Sequence, residues 1–360
     1  MKTKALLDTL QIKHPIIQGP FGGGGSTVKL AAAVSNAGGL GSFGAQTLTP
    51  AQITVLIKEL SAATDKAFAI NLWVPKESDS RTLTDAVWEQ AVDALSPYWR
   101  QFSITKPARP SGTTAFSQDF FQQIEAALEA RPPVLSFVMG VPPASVIERA
   151  RANKIITIGT ASTVDEAIAL EQAGLDLVVA SGSDAGGHRG AFLQPVAESL
   201  VGTFSLIPQV VDAVKIPVIA AGGIADGRGI IAAHALGAAG VQIGTAFLAC
   251  EESGVSEAHK NALHSKDARC TVLTRVFSGR VARGIVNDFV RRMAPFETNA
   301  PEYPVQNWLT QPIRKAAALA KDADALSLWA GQAAPLTKRT SAAELMLRLI
   351  QETVASRQHP

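Results

Sequence analysis

Eight short apolar segments recur at intervals along the first two-thirds of this chain, and their rhythm leaves few folds open. They are IIQGP (16–20), GLGSFGA (39–45), AFAINLW (67–73), VLSFVMG (134–140), IITIGT (155–160), LDLVVASG (175–182), PVIAAGG (217–223) and VQIGTAFL (241–248). Most are rich in Val, Ile or Phe and end in glycine or a polar residue. Between most of them lie alanine-rich stretches of helical period, such as STVDEAIALEQAG and DGRGIIAAHALGAAG. Near-continuous apolar strands alternating with helices make a parallel sheet covered on both faces. Eight such units over about 250 residues is the size of a (β/α)8 TIM barrel. A doubly wound sheet is the competing architecture.

Two spacings break the rhythm. The stretch from about 76 to 133, with the polar, proline-bearing SITKPARPSGTT, reads as a helix, a loop and a second helix inserted after the third strand. Beyond residue 250 the alternation stops, and the chain ends in the helix-like runs PIRKAAALAKDADALSLWAGQ and SAAELMLRLIQETVAS. The expected organisation is a barrel over 1–250 and a mainly helical appendage over 251–360 that covers the substrate.

Charge narrows the partners. Thirty-three basic and 31 acidic residues leave a net charge of +2, which gives no reason to expect nucleic acid or an anionic membrane as partner. The two cysteines, Cys250 and Cys270, fit a reducing compartment. The first residues lack the apolar core of a signal peptide, and no run approaches the 18 apolar residues of a membrane span, so a cytoplasmic location is expected.

In a barrel of this kind, chemistry sits on the loops after the strands. Here those loops hold the glycines. AAGGIADGRG follows the seventh segment with Gly222 and Gly223 on the turn and a helix expected near Asp226; QIGTAF at the eighth holds Gly244 and Thr245. Loops after strands seven and eight are the usual phosphate site, because glycine frees backbone N–H groups to approach an anion and a helix N-terminus adds positive potential. GLGSFG (39–44) matches a dinucleotide fingerprint by letter, but a helical stretch precedes it and its glycines lie within a strand, which excludes that reading. FGGGGS (21–26) cannot be core packing; it marks a mobile loop or a backbone laid against a flat ligand.

One histidine stands out. His188, in ASGSDAGGHRG, follows the sixth strand on a glycine-lined loop and should face the same mouth as the phosphate loops. His14 and His359 lie near the termini, His234 in an alanine-rich helix, and His259 and His264 in a polar stretch. None has metal-ligand spacing with another histidine or a cysteine, so no metal site is expected. Asp184 either orients His188 or closes the turn, and Arg189 is read as pointing outward or bracing the loop.

On these residues the chain resembles the nitronate monooxygenases, formerly called 2-nitropropane dioxygenases, and class I among them. The resemblance runs from PIIQGPFGGGGS through NAGGLGSFGA, INLWVP, AGGHRG and AAGGIADGRG to SLWAGQ near the C-terminus. It implies non-covalent FMN, with the phosphate on Gly222, Gly223, Gly244 and Thr245, and with Gln242 and Ile243 in the same motif. It places Gln18, Gly19, Pro20, Phe21, Gly22 and Gly23 along the flavin ring system, Asn71 and Ser181 in contact with the flavin, and Gly186 and Gly187 in close approach. His188 matches the catalytic histidine, and Phe21 and Tyr303 fall at the substrate pocket. Two departures stand out: Ser181 replaces the family's usual glutamine, and Phe21 its usual methionine.

The resemblance implies FMN-dependent oxidation of alkyl nitronates by O2 to carbonyl compounds and nitrite, a detoxifying activity on substrates of the propionate 3-nitronate type. His188 then donates a hydrogen bond to nitro oxygens or acts as a base toward a neutral nitroalkane. Two other readings stand beside it. One is an NAD(P)H-dependent flavin reductase of the enoyl-acyl-carrier-protein reductase or quinone reductase type, which generally lacks the LWAGQ helical tail. The other is a flavin-binding barrel without catalysis.

Overall fold

Each of the eight apolar segments forms a strand in a computed structural model that describes residues 2–76, 83–109 and 116–358. The barrel strands are β1 (Ile16–Gln18), β2 (Gly41–Gly44), β3 (Phe68–Trp73), β4 (Val134–Val138), β5 (Ile156–Ala161), β6 (Leu177–Ser181), β8 (Val218–Ala221) and β9 (Gly240–Ile243); a two-residue strand, β7 (Gly187–His188), intervenes outside the barrel. All eight are parallel, in the order β1-β9-β8-β6-β5-β4-β3-β2. A parallel bridge between Ile17 and Leu40, with Gln18 N donating to Leu40 O and Leu40 N to Ile16 O, joins the two ends into a barrel. The architecture is the (β/α)8 barrel that the rhythm predicts.

The helices are α1 (Lys2–Leu10), α2 (Val28–Asn36), α3 (Pro50–Ala63), α4 (Asp85–Gln101), α5 (Phe120–Ala130), α6 (Ala144–Ala152), α7 (Val164–Gln172), α8 (Thr203–Ala213), α9 (Gly227–Ala235), α10 (Thr245–Leu248), α11 (Glu257–Leu263), α12 (Asp288–Met293), α13 (Val305–Ala320) and α14 (Ala342–Gln358). Many start where a short polar side chain satisfies the first free amides. Thr27 accepts from Leu30 N, Thr163 from Glu166 N, and Thr49 forms a reciprocal box with Gln52 at the start of α3. Inside the barrel, Ile17, Ala69, Ile158, Val179 and Ile219 share one buried cluster with Leu6 and Leu10 of α1. The outer faces of β2 to β8 pack on their helices through Leu56, Leu60, Leu72, Phe137, Leu170 and Val210.

The inserted stretch contains the two expected helices; its residues 77–82 and 110–115, the latter within SITKPARPSGTT, lie outside the described residues. α5 packs on α3 and beside β3 as an ordinary barrel helix. α4 instead joins the C-terminal region: Trp88, Val92, Leu95 and Trp99 share a buried cluster with Phe277, Phe289, Leu309 and Ile313.

Beyond residue 250 most of the structure is helical, but two strands occur there, β10 (Thr271–Thr274) and β11 (Ala282–Ile285). They form an antiparallel sheet whose third strand is β7, with Ala282 opposite His188 and Arg283 opposite Gly187. TVLT and ARGI are too short and weakly patterned to announce strands. The segment VQIGTAFL also divides: the strand stops at Ile243, and Thr245–Leu248 is helix α10. α14 folds back on the barrel, burying Leu345, Met346 and Leu349 with Leu30, Val34 and Ile230 of α2 and α9. No described helix is long and apolar enough to cross a membrane.

Candidate active site

Strand register puts the ends of the barrel strands at one rim. Gln18 pairs with Ile243, Gly44 with Asn71, and Ser181 with Ala221. Burial changes at that level: the earlier residues of β6 are buried and Ser181 is partly accessible, and Gly222, Gly223, Gln242, Gly244 and Thr245 are accessible as well. The loops after β6, β8 and β9 thus lie side by side at an accessible rim, with Gly222 against Ala185 and Gly331 between Asp184 and Thr245, and we call this rim the groove.

Its donors suit a phosphate. Gly222 and Gly223 turn through φ of +111° and +68°, conformations that favour glycine. The amides of Gly222, Gly223, Thr245 and Ala246 reach no acceptor among the described residues. The Thr245 hydroxyl accepts from Gly331 N at 2.9 Å, which leaves its proton to donate. α9 does not contribute as expected. Its N-terminus is already occupied, with Arg228 N and Gly229 N on Asp226 Oδ1 and Gly227 N on Glu352 Oε2. The side chains of Ser181 and Gln242 bond to nothing among the described residues and remain accessible, as does Asn71 Oδ1, while Asn71 Nδ2 donates to Ser136 Oγ at 3.0 Å. A Cβ at Gly187, at φ +76°, would meet nothing within 4 Å. Free amides, unengaged polar side chains and open space over a glycine fit a flat, phosphate-bearing flavin.

The segment after β1 is an ordered turn rather than a loose loop. Phe21 N donates to Ser26 Oγ, Ser26 N to Phe21 O, and Gly25 N to Gly22 O. Gly19 packs closely on the next strand end, where a Cβ would lie 3.1 Å from Gly244 Cα. Phe21 lies beside Gly244, its Cε1 3.8 Å from where a Cβ would stand. Gln18 is buried with its amide engaged, Nε2 on Gly19 O and Ser42 O and Oε1 on Ser42 N, so it ties β1 to β2. Ile243 is likewise buried in the core. Pro20, Gly22 and Gly23 line the turn; Gly23, at φ +63°, has open space beyond it.

His188 lies deep in the molecule yet keeps accessible surface, as a side chain facing an interior opening does. Its ring meets Trp73 edge-on at 4.9 Å between centroids and Trp329 at 5.3 Å. Nε2 lies 2.8 Å from Ser278 Oγ. Burial, then the charges of Arg280 and Arg314, pull its pKa down to about 3, so the imidazole is neutral at physiological pH. The Arg280 guanidinium stands over the rings of Tyr303 at 4.4 Å and Trp73 at 5.2 Å. Arg314 reaches back along α13, Nη2 donating to Asn307 O and Oδ1, and burial lowers its pKa to about 10. Its Nη1 has no acceptor among the described residues and stays accessible.

Asp184 does not reach His188. Its Oδ2 accepts from Thr203 N at 2.6 Å at the start of α8. Burial pushes its carboxyl up, but the Thr203 hydrogen bonds and the Arg283 charge outweigh burial and leave it below the usual carboxylate range. Arg189 points inward: Nη1 and Nη2 donate to Gly182 O and Ser181 O, closing off the end of β6. Gly186 lies against the Ala330–Gly331 backbone, where a Cβ would come within 2.4 Å.

The barrel and the C-terminal region therefore meet at His188. Sequence reasoning found the histidine and the groove but missed Trp73, Ser278, Arg280 and Arg314 as site residues. Trp73 and Trp329 stood inside quoted motifs, INLWVP and SLWAGQ. Ser278 and Arg280 had no signal beyond a glycine in FSGRVARG, because their place depends on the β10–β11 turn.

Comparisons with known proteins agree over nearly the whole chain. The family model for nitronate monooxygenase matches residues 3–352. A probable nitronate monooxygenase of Staphylococcus haemolyticus (strain JCSC1435) is 45% identical over 350 residues, 96% of each chain. One of Staphylococcus aureus (strain Newman) is 42% identical over 348 residues, again 96% of each. Among solved structures, nitroalkane oxidase from Streptomyces ansochromogenes superposes with a TM-score of 0.89 at 39% identity, covering 98% of this chain and 99% of its own. FabK from Thermotoga maritima superposes with a TM-score of 0.76 at 31% identity, covering 98% of this chain and 96% of its own.

Proposed function

The chain belongs to the nitronate monooxygenase family, and from that premise we propose that it is a flavin-dependent oxidoreductase using FMN to oxidise alkyl nitronates with O2 to carbonyl compounds and nitrite. The observation that carries this reading is the buried His188 between Trp73 and Trp329, in the field of Arg314, whose Nη1 has no acceptor among the described residues, beside the glycine-lined loops of the rim. Such a site favours a small anion over a neutral molecule of the same shape.

FMN supplies the electron acceptor that passes reducing equivalents from nitronate to O2. The protein supplies position and electrostatics. Gly222, Gly223, Gly244 and Thr245 hold the phosphate with backbone and hydroxyl donors; Asn71, Ser181 and Gln242 offer polar atoms to the ring system. Phe21 and Tyr303 bound the substrate space, and Trp73 and Trp329 exclude water from the His188 ring. Arg314 presents Nη1 to an anionic substrate oxygen, a charge-assisted hydrogen bond. We propose substrates of the propionate 3-nitronate type and a detoxifying role, as the family resemblance implies.

The alternative of an NAD(P)H-dependent reductase is separated by experiment. Anaerobic mixing of the purified protein with ethyl nitronate, then separately with NADPH, makes the separation. Rapid change of the flavin absorbance with the nitronate and none with NADPH, together with nitrite release in air, supports the proposal. Bleaching by NADPH without a nitronate response moves the chain to the reductases. Bound flavin that responds to neither leaves a binding barrel, and a protein that takes up no FMN overturns the cofactor.

A further inference from the structure

We infer that Ser278 is a positioning residue that holds His188 as the Nε2–H tautomer, leaving Nδ1 as the nitrogen that accepts at the site. The effect on turnover rests on the function proposed above; the tautomer does not.

Both partners of the His188–Ser278 contact are fixed by backbone. His188 sits in β7, opposite Ala282 of β11, and Arg189 N donates to Val281 O at 2.9 Å. Ser278, buried, lies on the turn between β10 and β11. α13 grips that turn: Gln306 Nε2 donates to Val276 O at 2.6 Å, and Thr310 Oγ1 to Phe277 O. Gly279, at φ +82°, presses the turn against the Tyr303 segment so closely that a Cβ would lie 2.4 Å from Tyr303 N. Neither group has room to trade partners.

Proton counting then assigns the ring. A serine hydroxyl has one proton and two lone pairs. Arg280 N donates to Ser278 Oγ at 3.2 Å and fills one lone pair; Ser278 Oγ donates its proton to Arg280 O at 3.0 Å. One lone pair is left, and only a donor can fill it. The group at 2.8 Å is His188 Nε2. The opposite assignment, with Ser278 donating to Nε2, takes the proton from Arg280 O, leaves a lone pair of Oγ empty, and puts a hydrogen on Nδ1. Nδ1 has no hydrogen-bond partner among the described residues, and it is accessible. The first assignment satisfies all three contacts at Oγ and leaves Nδ1 a bare lone pair.

The consequence separates two roles for the histidine. A lone pair at Nδ1 cannot donate to nitronate oxygens, so those donors come from elsewhere, with Arg314 Nη1 the available cation. Toward a neutral nitroalkane Nδ1 is a base: the α C–H bond breaks, the proton goes to Nδ1, and the electron pair of that bond moves into the nitro group to give the nitronate. Arg280 and Arg314 disfavour the imidazolium so formed, so neutral nitroalkanes turn over more slowly than ionised nitronates.

The test is a long-range 15N–1H correlation spectrum of the FMN-loaded protein labelled at histidine, with the His188 signals identified by their loss in His188→Gln. The expected spectrum has protonated Nε2 and bare Nδ1. Ser278→Ala is expected to populate both tautomers at equal flavin content, and Ser278→Thr to restore one. With a neutral nitroalkane, Ser278→Ala should lower kcat about tenfold, a larger loss than with ethyl nitronate. A proton on Nδ1 in the parent protein, or an Ser278→Ala spectrum identical to it, overturns the assignment, and the parent measurement stands even if a variant fails to fold. Absence of any nitronate turnover beside the expected spectrum overturns the proposed function and leaves the tautomer in place.

Discussion

Glu166 is expected to be a costly charge to neutralise in this protein, although no substrate need touch it. It is fully buried near the start of α7. Its carboxylate takes three backbone amides: Ser162 N on Oε2 at 2.6 Å, and Phe192 N at 2.5 Å and Leu193 N at 3.1 Å on Oε1. The last two belong to the segment that leaves His188 and Arg189, and the Glu166 charge also acts on Arg189. In Glu166→Gln the side-chain oxygen can keep Phe192 N and Leu193 N, but the amide nitrogen then faces Ser162 N at donor-to-donor distance. Two bonds fall from charge-assisted to neutral strength, about 1 kcal/mol each, and one buried amide is orphaned at about 1–3 kcal/mol, for a loss of roughly 3–5 kcal/mol. Turning the amide over is worse, since two amides then face a donor. The measurement is denaturant unfolding of parent and variant at neutral pH, with kcat on ethyl nitronate alongside. A stability change under about 1 kcal/mol would refute the reasoning, because it would mean that the three amides gain little from the charge.

Three further outcomes are expected. His188 and His259 have pKa values of about 3 and about 4, the first lowered by burial and two arginines and the second by burial against the bond to Trp329 O. The unfolded chain therefore binds more protons than the native one below about pH 6.5, so stability is complete above that pH and falls toward pH 4 by up to about 1.4 kcal/mol per pH unit per histidine; His259→Asn should lower that slope in acid unfolding, and an unchanged slope would contradict the His259 assignment. Gly187→Ala has open space but a φ of +76°, so it should cost about 1–2 kcal/mol in stability while weakening FMN binding at least tenfold, read by flavin titration; unchanged affinity would remove Gly187 from the flavin face. Arg314→Met should raise KM for ethyl nitronate about tenfold or more with little change in kcat, in steady-state nitrite assays.

The barrel was legible because its strands are buried on both faces and so read as continuous apolar runs, and because each run ends where glycine or a polar residue begins. The groove was legible for the same reason: Gly222, Gly223, Gly244 and Thr245 follow strands whose place in the barrel was already fixed. What stayed hidden depends on pairings distant in sequence. β7 is two residues long and exists only because β11, more than 90 positions later, lies beside it. Gln18 read as a ring contact because it stands in the motif, whereas its amide is engaged with Ser42; local sequence does not say where a buried amide finds partners. Asp226 read as the edge of a helix end open to phosphate, yet its own carboxylate and Glu352 of α14 occupy those amides. A helix N-terminus is free only if the rest of the chain leaves it so.

The distribution of roles between barrel and C-terminal region follows from the same geometry. The barrel rim holds the groove mainly with its own backbone, through the Gly222–Gly223 turn and the start of α10, and the C-terminal region ties to it through Gly331 N on Thr245 Oγ1 and Glu352 on Gly227 N. His188 is different. Without β11 its two-residue strand has no ladder, and without Trp329, held by His259 Nε2 donating to its carbonyl at 3.1 Å, one flank of the ring is open to water. An imidazole hydrated in that way would titrate near its ordinary value, and the field of Arg280 and Arg314 would be largely screened. Residues 271–332 therefore decide whether the histidine is charged and which nitrogen faces the ligand, while the barrel decides where it stands. Changes in the turn between β10 and β11 should alter the pH dependence and the preference between neutral and ionised substrates with FMN affinity unchanged; changes in the Gly222–Gly223 turn should do the reverse.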